Sequence, residues 1–141
     1  MPYIQNDSEH VLLSSKTPLL SNLDMKENIA LIKEVHHKKP REAAEAEAKE
    51  MLKRLGVEYV ADLRSNKCTK EELFYVMIAR ALMCDQPKIF VKTPLQLLEN
   101  LANICTIIQN IENLHPNKGI IILDTQANFH HYKECGCPIA R

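Results

Sequence analysis

Four side chains near the C-terminus have the chemistry of metal ligands: His130, His131, Cys135 and Cys137. Imidazole and thiolate together are the ligands that a soft metal ion such as Zn²⁺ prefers. Their spacing does not match a zinc-finger pattern, and histidines and cysteines this close together are often incidental. We prefer the incidental interpretation, so no metal is expected, and a metal site is the alternative.

Three other groups of residues could do chemistry. Asp124 follows an apolar run, at the carboxyl end of a predicted parallel strand, where α/β folds bind ligands. A helix-capping or turn role for it is the preferred interpretation. Cys68 and Cys84 could be nucleophilic thiols, but Cys84 lies on an apolar helical stripe and no paired histidine and acid can be named. Residues 36–39 (HHKK) could attract phosphate or acidic lipid, but a solvated helix end is the preferred interpretation.

Composition limits the function classes. The 141 residues suffice for one domain, and 18 basic against 18 acidic residues give a net charge of zero, which argues against nucleic-acid binding. No apolar run approaches the length of a membrane span, and residues 1–10 lack the pattern of a signal peptide. The five cysteines are therefore expected to be reduced thiols in the cytoplasm.

Hydrophobic patterning supplies the elements that must position these residues. Apolar runs predict buried strands at residues 10–13, 89–91 and 120–123, the last two covered on both faces. Capping boxes at Asp24/Glu27 and Thr69/Glu72 start two helices. Helices are predicted over residues 25–37, 41–55 (ended by Gly56), 69–84, from Pro94 to about 111, and 126–134.

Strand, helix and strand in succession imply a right-handed parallel crossover. The predicted fold class is α/β: a small three-stranded parallel sheet flanked by helices, with a helical subdomain inserted after the first strand. The chain is treated as one domain, 1–141. In it, residues 24–84 form the helical part, and residues 1–23 and 85–141 form the sheet core.

Residues 78–94, IARALMCDQPKIFVKTP, resemble the ATP-binding cassette (ABC) ATPases, which are P-loop NTPases. In that family a signature helix ending in Ala-Arg-Ala-Leu leads into the Walker B strand. PLLSNLDMKENIAL (18–31) is similar to the stretch after the Q-loop, and residues 51–82 are similar to the end of the helical subdomain together with the signature. The resemblance therefore covers nearly the whole chain, from just before the Q-loop to just after the H-loop, and lacks the phosphate-loop region.

The resemblance implies that the nucleotide-handling positions are degenerate. The signature falls on Cys68 to Glu72, so that Thr69, Lys70, Glu71 and Glu72 replace its serine, glycines and glutamine. The Q-loop glutamine corresponds to Ser15, and the switch histidine to Thr125. Lys92 replaces the Walker B aspartate, and Thr93 replaces the catalytic glutamate. A cation cannot ligate Mg²⁺ and a threonine is a poor base, so neither hydrolysis nor ATP binding is expected, and no cofactor is expected.

The sequence therefore predicts a non-catalytic ABC ATPase-like protein, an accessory or interaction subunit of a membrane transport system. The alternative is a regulatory protein that binds a nucleotide or small molecule without hydrolysing it. The implied partner is a membrane permease subunit, an intact ABC ATPase subunit or a second copy of the chain, with residues 16–31 as the docking surface. The expected location is the cytoplasm, including peripheral attachment at the inner face of the membrane.

Overall fold

The computed structural model describes residues 5–6 and 10–140. Its strands are β1 (Gln5–Asn6), β2 (His10–Leu13), β3 (Lys88–Lys92), β4 (Gly119–Leu123) and β5 (Ile139–Ala140). Its α-helices are α1 (Met25–His36), α2 (Arg41–Arg54), α3 (Lys70–Leu82) and α4 (Ile104–Leu114). Short 3₁₀ helices lie at Glu58–Val60, Ser65–Lys67, Pro94–Gln96 and Gln126–Tyr132. None of the helices in these residues is long and apolar enough to cross a bilayer.

The chain divides into two compact units. The helical unit is Pro18–Asp85 and contains α1, α2 and α3. The sheet unit combines Met1–Thr17 with Gln86–Arg141 and contains all five strands and α4. In sequence, the helical unit is therefore inserted between β2 and β3.

The sheet has the order β1-β2-β3-β4-β5. Strands β2 to β5 are parallel, and β1 pairs antiparallel with β2 at the edge. Val11 lies beside Ile89, which in turn lies beside Ile120. The α/β class with a parallel sheet is confirmed, but the predicted count of three parallel strands is wrong. The fourth is β5, whose two residues are too few to produce an alternation that sequence patterning can detect.

The two faces of the sheet differ in burial. One face is fully buried and consists of Val11, Leu13, Ile89, Val91, Ile120 and Ile122. Helix α4 contacts β4 and buries its own isoleucines 104, 107, 108 and 111. On the opposite face Leu12, Phe90, Ile121 and Leu123 are partly exposed, with His10 beside them, and the exposed side chains of Lys88 and Lys92 share this face. The prediction that β3 and β4 are covered on both faces is therefore wrong for the described part of the chain.

The long helix predicted from Pro94 is also wrong. Only Pro94–Gln96 form a 3₁₀ turn, and the α-helix begins at Ile104. Between them, the side chain of Asn100 accepts a hydrogen bond from the Ala102 N–H at 2.9 Å. Such local bonds offer the backbone an alternative to the helix, which the apolar spacing of the leucines does not reveal.

The helical unit follows its sequence signals closely. Both predicted capping boxes are present: Asp24 accepts from the Glu27 N–H, and Thr69 accepts from the Glu72 N–H. Gly56 follows the C-cap of helix α2 and terminates it, and its φ of +81° places it in the left-handed region. The Gly56 and Val57 N–H groups donate to the carbonyls of Lys53 and Leu52, as in a Schellman motif.

Small side chains allow α1 and α2 to pack against each other. Ala44 and Ala48 of α2 are fully buried, as are Met25, Ile29 and Ile32 of α1. Lys26 joins the start of α1 to the segment after the 3₁₀ helix Glu58–Val60, since its ammonium group donates to Asp24 and Asp62 at 2.7 Å each. These two hydrogen bonds raise the pKa of Lys26 well above its ordinary value, although partial burial opposes the shift.

Candidate functional site

Three of the parallel strands end at the same edge of the sheet. Ser15 comes two residues after β2, Lys92 is the last residue of β3, and Thr125 follows β4 closely. The Ser15 hydroxyl donates to the side-chain oxygen of Gln96 at 3.1 Å, which ties the segment after β2 to the segment after β3. The structure thus places the predicted Q-loop, Walker B, catalytic and switch positions along one edge, as parallel strands require.

An open cavity of about 800 Å³ lies against this edge and the partly exposed face of the sheet. Its lining is an apolar floor and a polar rim: His10, Leu12, Phe90, Lys92, Thr93, Leu123, Asp124, Thr125 and Gln126. In the floor, the rings of His10 and Phe90 stack with their centroids 4.4 Å apart. The cavity can therefore accept an apolar group and offers Lys92 as a cation at its rim.

Thr93 has an unusual backbone conformation. Its φ of 46° and ψ of 68° are left-handed, a region that β-branched residues rarely adopt. The Thr93 N–H donates to the Leu123 carbonyl at 2.7 Å, which holds the residue against the end of β4. Such a conformation costs on the order of 1–3 kcal/mol and persists only where the surrounding structure enforces it.

Asp124 is the most constrained polar residue of the edge. Its Oδ2 accepts from the Tyr132 hydroxyl at 2.5 Å, and its Oδ1 accepts from the Thr125 N–H at 2.7 Å and the Asn128 amide at 3.1 Å. Burial alone would raise the pKa of Asp124, but the hydrogen bonds from Tyr132, Asn128 and Thr125 outweigh burial and lower it. Asp124 thus orders the segment after β4 without capping the next helix, and both of its carboxylate oxygens are occupied.

The chemistry available at this edge is limited. Lys92 is exposed and Thr93 partly exposed, so a fixed cation and a hydroxyl stand where the resemblance implies two carboxylates. Residues 5–6 and 10–140 contain no group of three or more His, Cys, Asp or Glu side chains able to hold a metal ion. The edge presents a cation and hydroxyl groups, and the cavity floor beside it is apolar.

The degenerate signature positions lie at the start of α3, in the helical unit. The Thr69 N–H donates to Glu72 Oε1 at 2.8 Å, and the Glu72 N–H donates to Thr69 Oγ1 at 3.1 Å. The backbone hydrogen bond from Thr69, together with one from the Tyr59 hydroxyl, lowers the pKa of Glu72. Lys70 and Glu71 are exposed. This helix start is capped by its own carboxylate, which offers a poor site for a further anion.

The four C-terminal residues considered as metal ligands differ in their bonding and in their exposure. Cys135 forms a disulfide with Cys105, so its sulfur is not available as a thiolate ligand. His130 and His131 are exposed and face each other with ring centroids 3.9 Å apart, while Cys137 is buried. The prediction that the cysteines are reduced is wrong for this pair. Nothing in the spacing of Cys105 and Cys135, 30 residues apart, could have indicated the bond.

The remaining thiols and cations have ordinary structural roles. Cys84 is buried, as its place on the apolar stripe of α3 predicts. Burial raises the pKa of the Cys68 thiol, which weakens it as a nucleophile at neutral pH. In the cationic helix end, His37 contacts Asp85 at 2.8 Å and Lys39 contacts Glu47 at 2.6 Å. Two of the four side chains of residues 36–39 are thus already paired with carboxylates.

The sequence did not point to the apolar floor of the cavity. Residues of the floor lie in the continuous apolar runs IFV and IIIL, and such runs predict strands that are covered on both faces. The structure supplies that cover on one face only. Sequence reasoning therefore located these strands correctly but missed that one of their faces is uncovered.

Comparison with known proteins supports the fold. No protein-family profile matches the chain, and no curated protein sequence matches it. Among solved structures, it is similar to the ATP-binding cassette MJ0796, determined as a dimer in a post-hydrolysis state bound to ADP and phosphate. The TM-score is 0.64 at 23% sequence identity, over 84% of this chain and 52% of that one. The chain therefore spans about half the length of the protein it matches.

Proposed function

Because the chain has the fold of part of an ABC ATPase domain, we propose that it is a non-catalytic member of that structural class. Its role is that of an accessory or interaction subunit of a membrane transport system. The observation that carries the proposal is the sheet edge, where Ser15, Lys92, Thr93 and Thr125 stand together without a single carboxylate or imidazole among them. The nearby Asp124 is held by three donors.

The physical case against hydrolysis rests on charge. Phosphoryl transfer depends on a metal ion that neutralises the phosphates and on a group that orients the attacking water. Lys92 would repel Mg²⁺ from the position where the resemblance requires a ligand. No side chain of the edge replaces the missing base, since the carboxylate of Asp124 is buried and accepts three hydrogen bonds already.

The case for an interaction role rests on the partly exposed sheet face. Strands β3 and β4 contain the apolar runs IFV and IIIL, a composition typical of strands that are buried on both sides, and exposed lysines 88 and 92 flank the run in β3. Leu12, Phe90 and Leu123 border an open cavity instead. Contiguous apolar surface of this kind marks an interaction site or a ligand groove. We assign the face to a protein partner: a permease subunit, an intact ABC ATPase subunit or a second copy of the chain.

The proposed location is the cytoplasm, with attachment at the inner face of the membrane through that partner. The chain brings no membrane-spanning helix of its own in its described residues, so the attachment is assigned to the partner. Fractionation of cells expressing the chain with and without the permease tests this assignment. Recovery in the membrane fraction only when the permease is present is the expected result.

Phosphate release from ATP and Mg²⁺ tests the absence of catalysis. The purified chain is expected to match the buffer blank, and Lys92→Ala and Thr93→Ala are expected to match the wild type. An intact ABC ATPase assayed in parallel provides the positive control. Turnover by the wild-type chain that either substitution abolishes would show that the edge is catalytic and would end the proposal.

Reconstitution with defined subunits tests the partner. The permease and the intact ATPase subunit encoded nearest to this chain are each mixed with it, and complex formation is measured by sedimentation. Phe90→Ser is expected to weaken the complex because it removes the largest apolar ring from the sheet face. Tyr59→Ser, which changes an aromatic side chain that is 65% exposed in the helical unit, is the matched control. Absence of binding to either subunit, together with a monomeric chain, would contradict the interaction role.

The cavity supports a second candidate, a regulatory protein that binds a nucleotide or small molecule without hydrolysis. Its volume of about 800 Å³ is within the range of small-molecule sites, and it combines an apolar floor with Lys92 at the rim. Calorimetric titration with ATP, ADP and Mg²⁺ distinguishes the two candidates. Saturable binding that Lys92→Ala weakens favours this candidate, whereas no heat of binding favours the interaction role.

A further inference from the structure

Three of the five cysteines belong to the sheet unit. Cys105 is the second residue of α4, Cys135 follows the 3₁₀ helix Gln126–Tyr132, and Cys137 lies two residues before the last strand. Cys105 and Cys135 are bonded, and Cys137 is a buried free thiol. The disulfide therefore fastens the chain just before β5 to the first turn of α4.

Residues 133–140, here called the C-terminal segment, are attached to the sheet unit by the disulfide and by a few hydrogen bonds. The Gln109 amide on α4 donates to the Glu134 carbonyl at 2.7 Å. Further along, the Ile122 and Asp124 N–H groups of the β4 edge donate to the carbonyls of Pro138 and Ala140. Strand β5 itself has only two residues. So short a strand contributes few hydrogen bonds, and its attachment depends on what anchors the chain before it.

The two sulfurs of the disulfide have different surroundings. Cys135 is buried, with 2% of its surface exposed, whereas Cys105 is partly exposed in the first turn of a helix. A reductant therefore attacks the Cys105 sulfur and Cys135 leaves; once the bond is reduced, the helix N-terminus favours the thiolate of Cys105. One sulfur can thus be reached from solvent, and the other returns to a buried position when the bond re-forms.

We propose that Cys105 and Cys135 form a reversible redox latch that controls whether the C-terminal segment stays on the sheet. A dithiol reductant reduces the pair by two electrons: the S–S bond breaks, each protein sulfur becomes a thiol, and the reductant leaves as its cyclic disulfide. Release of the segment frees the Ile122 and Asp124 N–H groups. The side of β4 that pairs with β5 is therefore exposed directly beside Asp124, at the candidate site.

Cys137 is not part of the latch. Burial, and secondarily the negative charge of Glu112, raise the pKa of its thiol. A protonated buried thiol exchanges slowly with disulfides, because the thiolate is the attacking species. Cys137→Ser is for this reason the matched control for substitutions of the other two cysteines.

Thiol counting and hydrogen exchange on the full chain test the latch. Alkylation under denaturing conditions is expected to modify three cysteines in air-oxidised protein, namely Cys68, Cys84 and Cys137. After treatment with dithiothreitol it is expected to modify all five. Reduction should accelerate amide exchange about tenfold or more in peptides covering the C-terminal segment and residues 122–124, and leave α2 unchanged.

Cys105→Ser and Cys135→Ser are expected to exchange like the reduced wild type with or without reductant, and Cys137→Ser like the wild type. If Cys135→Ser does not fold, reduction of the wild-type protein decides the question. Five alkylated cysteines without reductant, unchanged exchange after reduction, or acceleration that extends equally to α2 would each overturn the proposal.

Discussion

At the level of single residues, the hydrogen bond between Tyr132 and Asp124 is the interaction that a single substitution tests most directly. The tyrosine is 1% exposed and the carboxylate is buried, so solvent cannot replace the bond. We expect Tyr132→Phe to lower the free energy of unfolding by about 1.5–3 kcal/mol, the range for hydrogen bonds to charged groups. Urea denaturation measures the loss. Tyr59→Phe removes a hydroxyl that is also bonded to a carboxylate, Glu72, but at an exposed site, and should cost less than about 0.5 kcal/mol.

The same interaction has a pH dependence of known sign. The pKa of Asp124 is lowered in the folded state, so its contribution to stability is complete above the unfolded value of about 4 and is lost as pH falls through the folded value. The difference in stability between wild type and Tyr132→Phe should therefore be constant from about pH 5 to 8 and shrink below about pH 4. A difference that grows on acidification would contradict the assignment of a charged Asp124.

Thr93 provides a second test at this scale. Because its φ of 46° suits glycine, Thr93→Gly should stabilise the chain by about 1 kcal/mol, despite the greater flexibility of glycine when unfolded. Thr125, two residues after the end of β4, has an ordinary φ of −75°, so Thr125→Gly should destabilise the chain slightly. The comparison uses thermal unfolding of both variants. Destabilisation by both glycines would mean that the Thr93 side chain offsets its backbone cost.

At the level of elements, the packing of α1 against α2 depends on small side chains. Ala48 is fully buried, so Ala48→Leu should destabilise the helical unit by about 1–3 kcal/mol through overpacking. Ala46 lies on the exposed side of the same helix, and Ala46→Leu should be neutral because the two residues have similar helix propensities. Chemical denaturation followed by circular dichroism measures both. Equal effects of the two substitutions would show that the alanine stripe is not a packing surface.

Elements also show where sequence reasoning succeeds. The capping boxes at Asp24 and Thr69 are encoded within four residues, so α1 and α3 begin where the sequence predicts. For the segment after Pro94 the prediction was wrong, because the spacing of the leucines indicated a helix that the structure does not contain. The side chain of Asn100 and the left-handed Thr93 direct the backbone otherwise. Local rules locate a helix where cap and periodicity agree, and they fail where a side chain competes with the backbone.

For the whole molecule, net charge and exposed apolar surface act together. The chain has a net charge of zero and a sequence pI of about 7.0, so electrostatic repulsion between copies is weakest near neutral pH. Self-association measured by light scattering should be greatest there and should fall about two pH units to either side. Phe90→Ser should reduce association at every pH if the sheet face is the contact. An unchanged profile in that variant would place the contact elsewhere.

The sequence by itself determined the α/β class, the parallel sheet and the starts of the capped helices, because these follow from periodicity and from contacts within a few residues. It also determined that the edge of the sheet lacks carboxylates at Lys92 and Thr93, since residue identity is independent of folding. Only the tertiary structure decided that β5 extends the sheet, that Cys105 reaches Cys135, and that one apolar face lies against an open cavity. Each of these depends on residues far apart in the chain, whose approach is set by packing and not by local pattern.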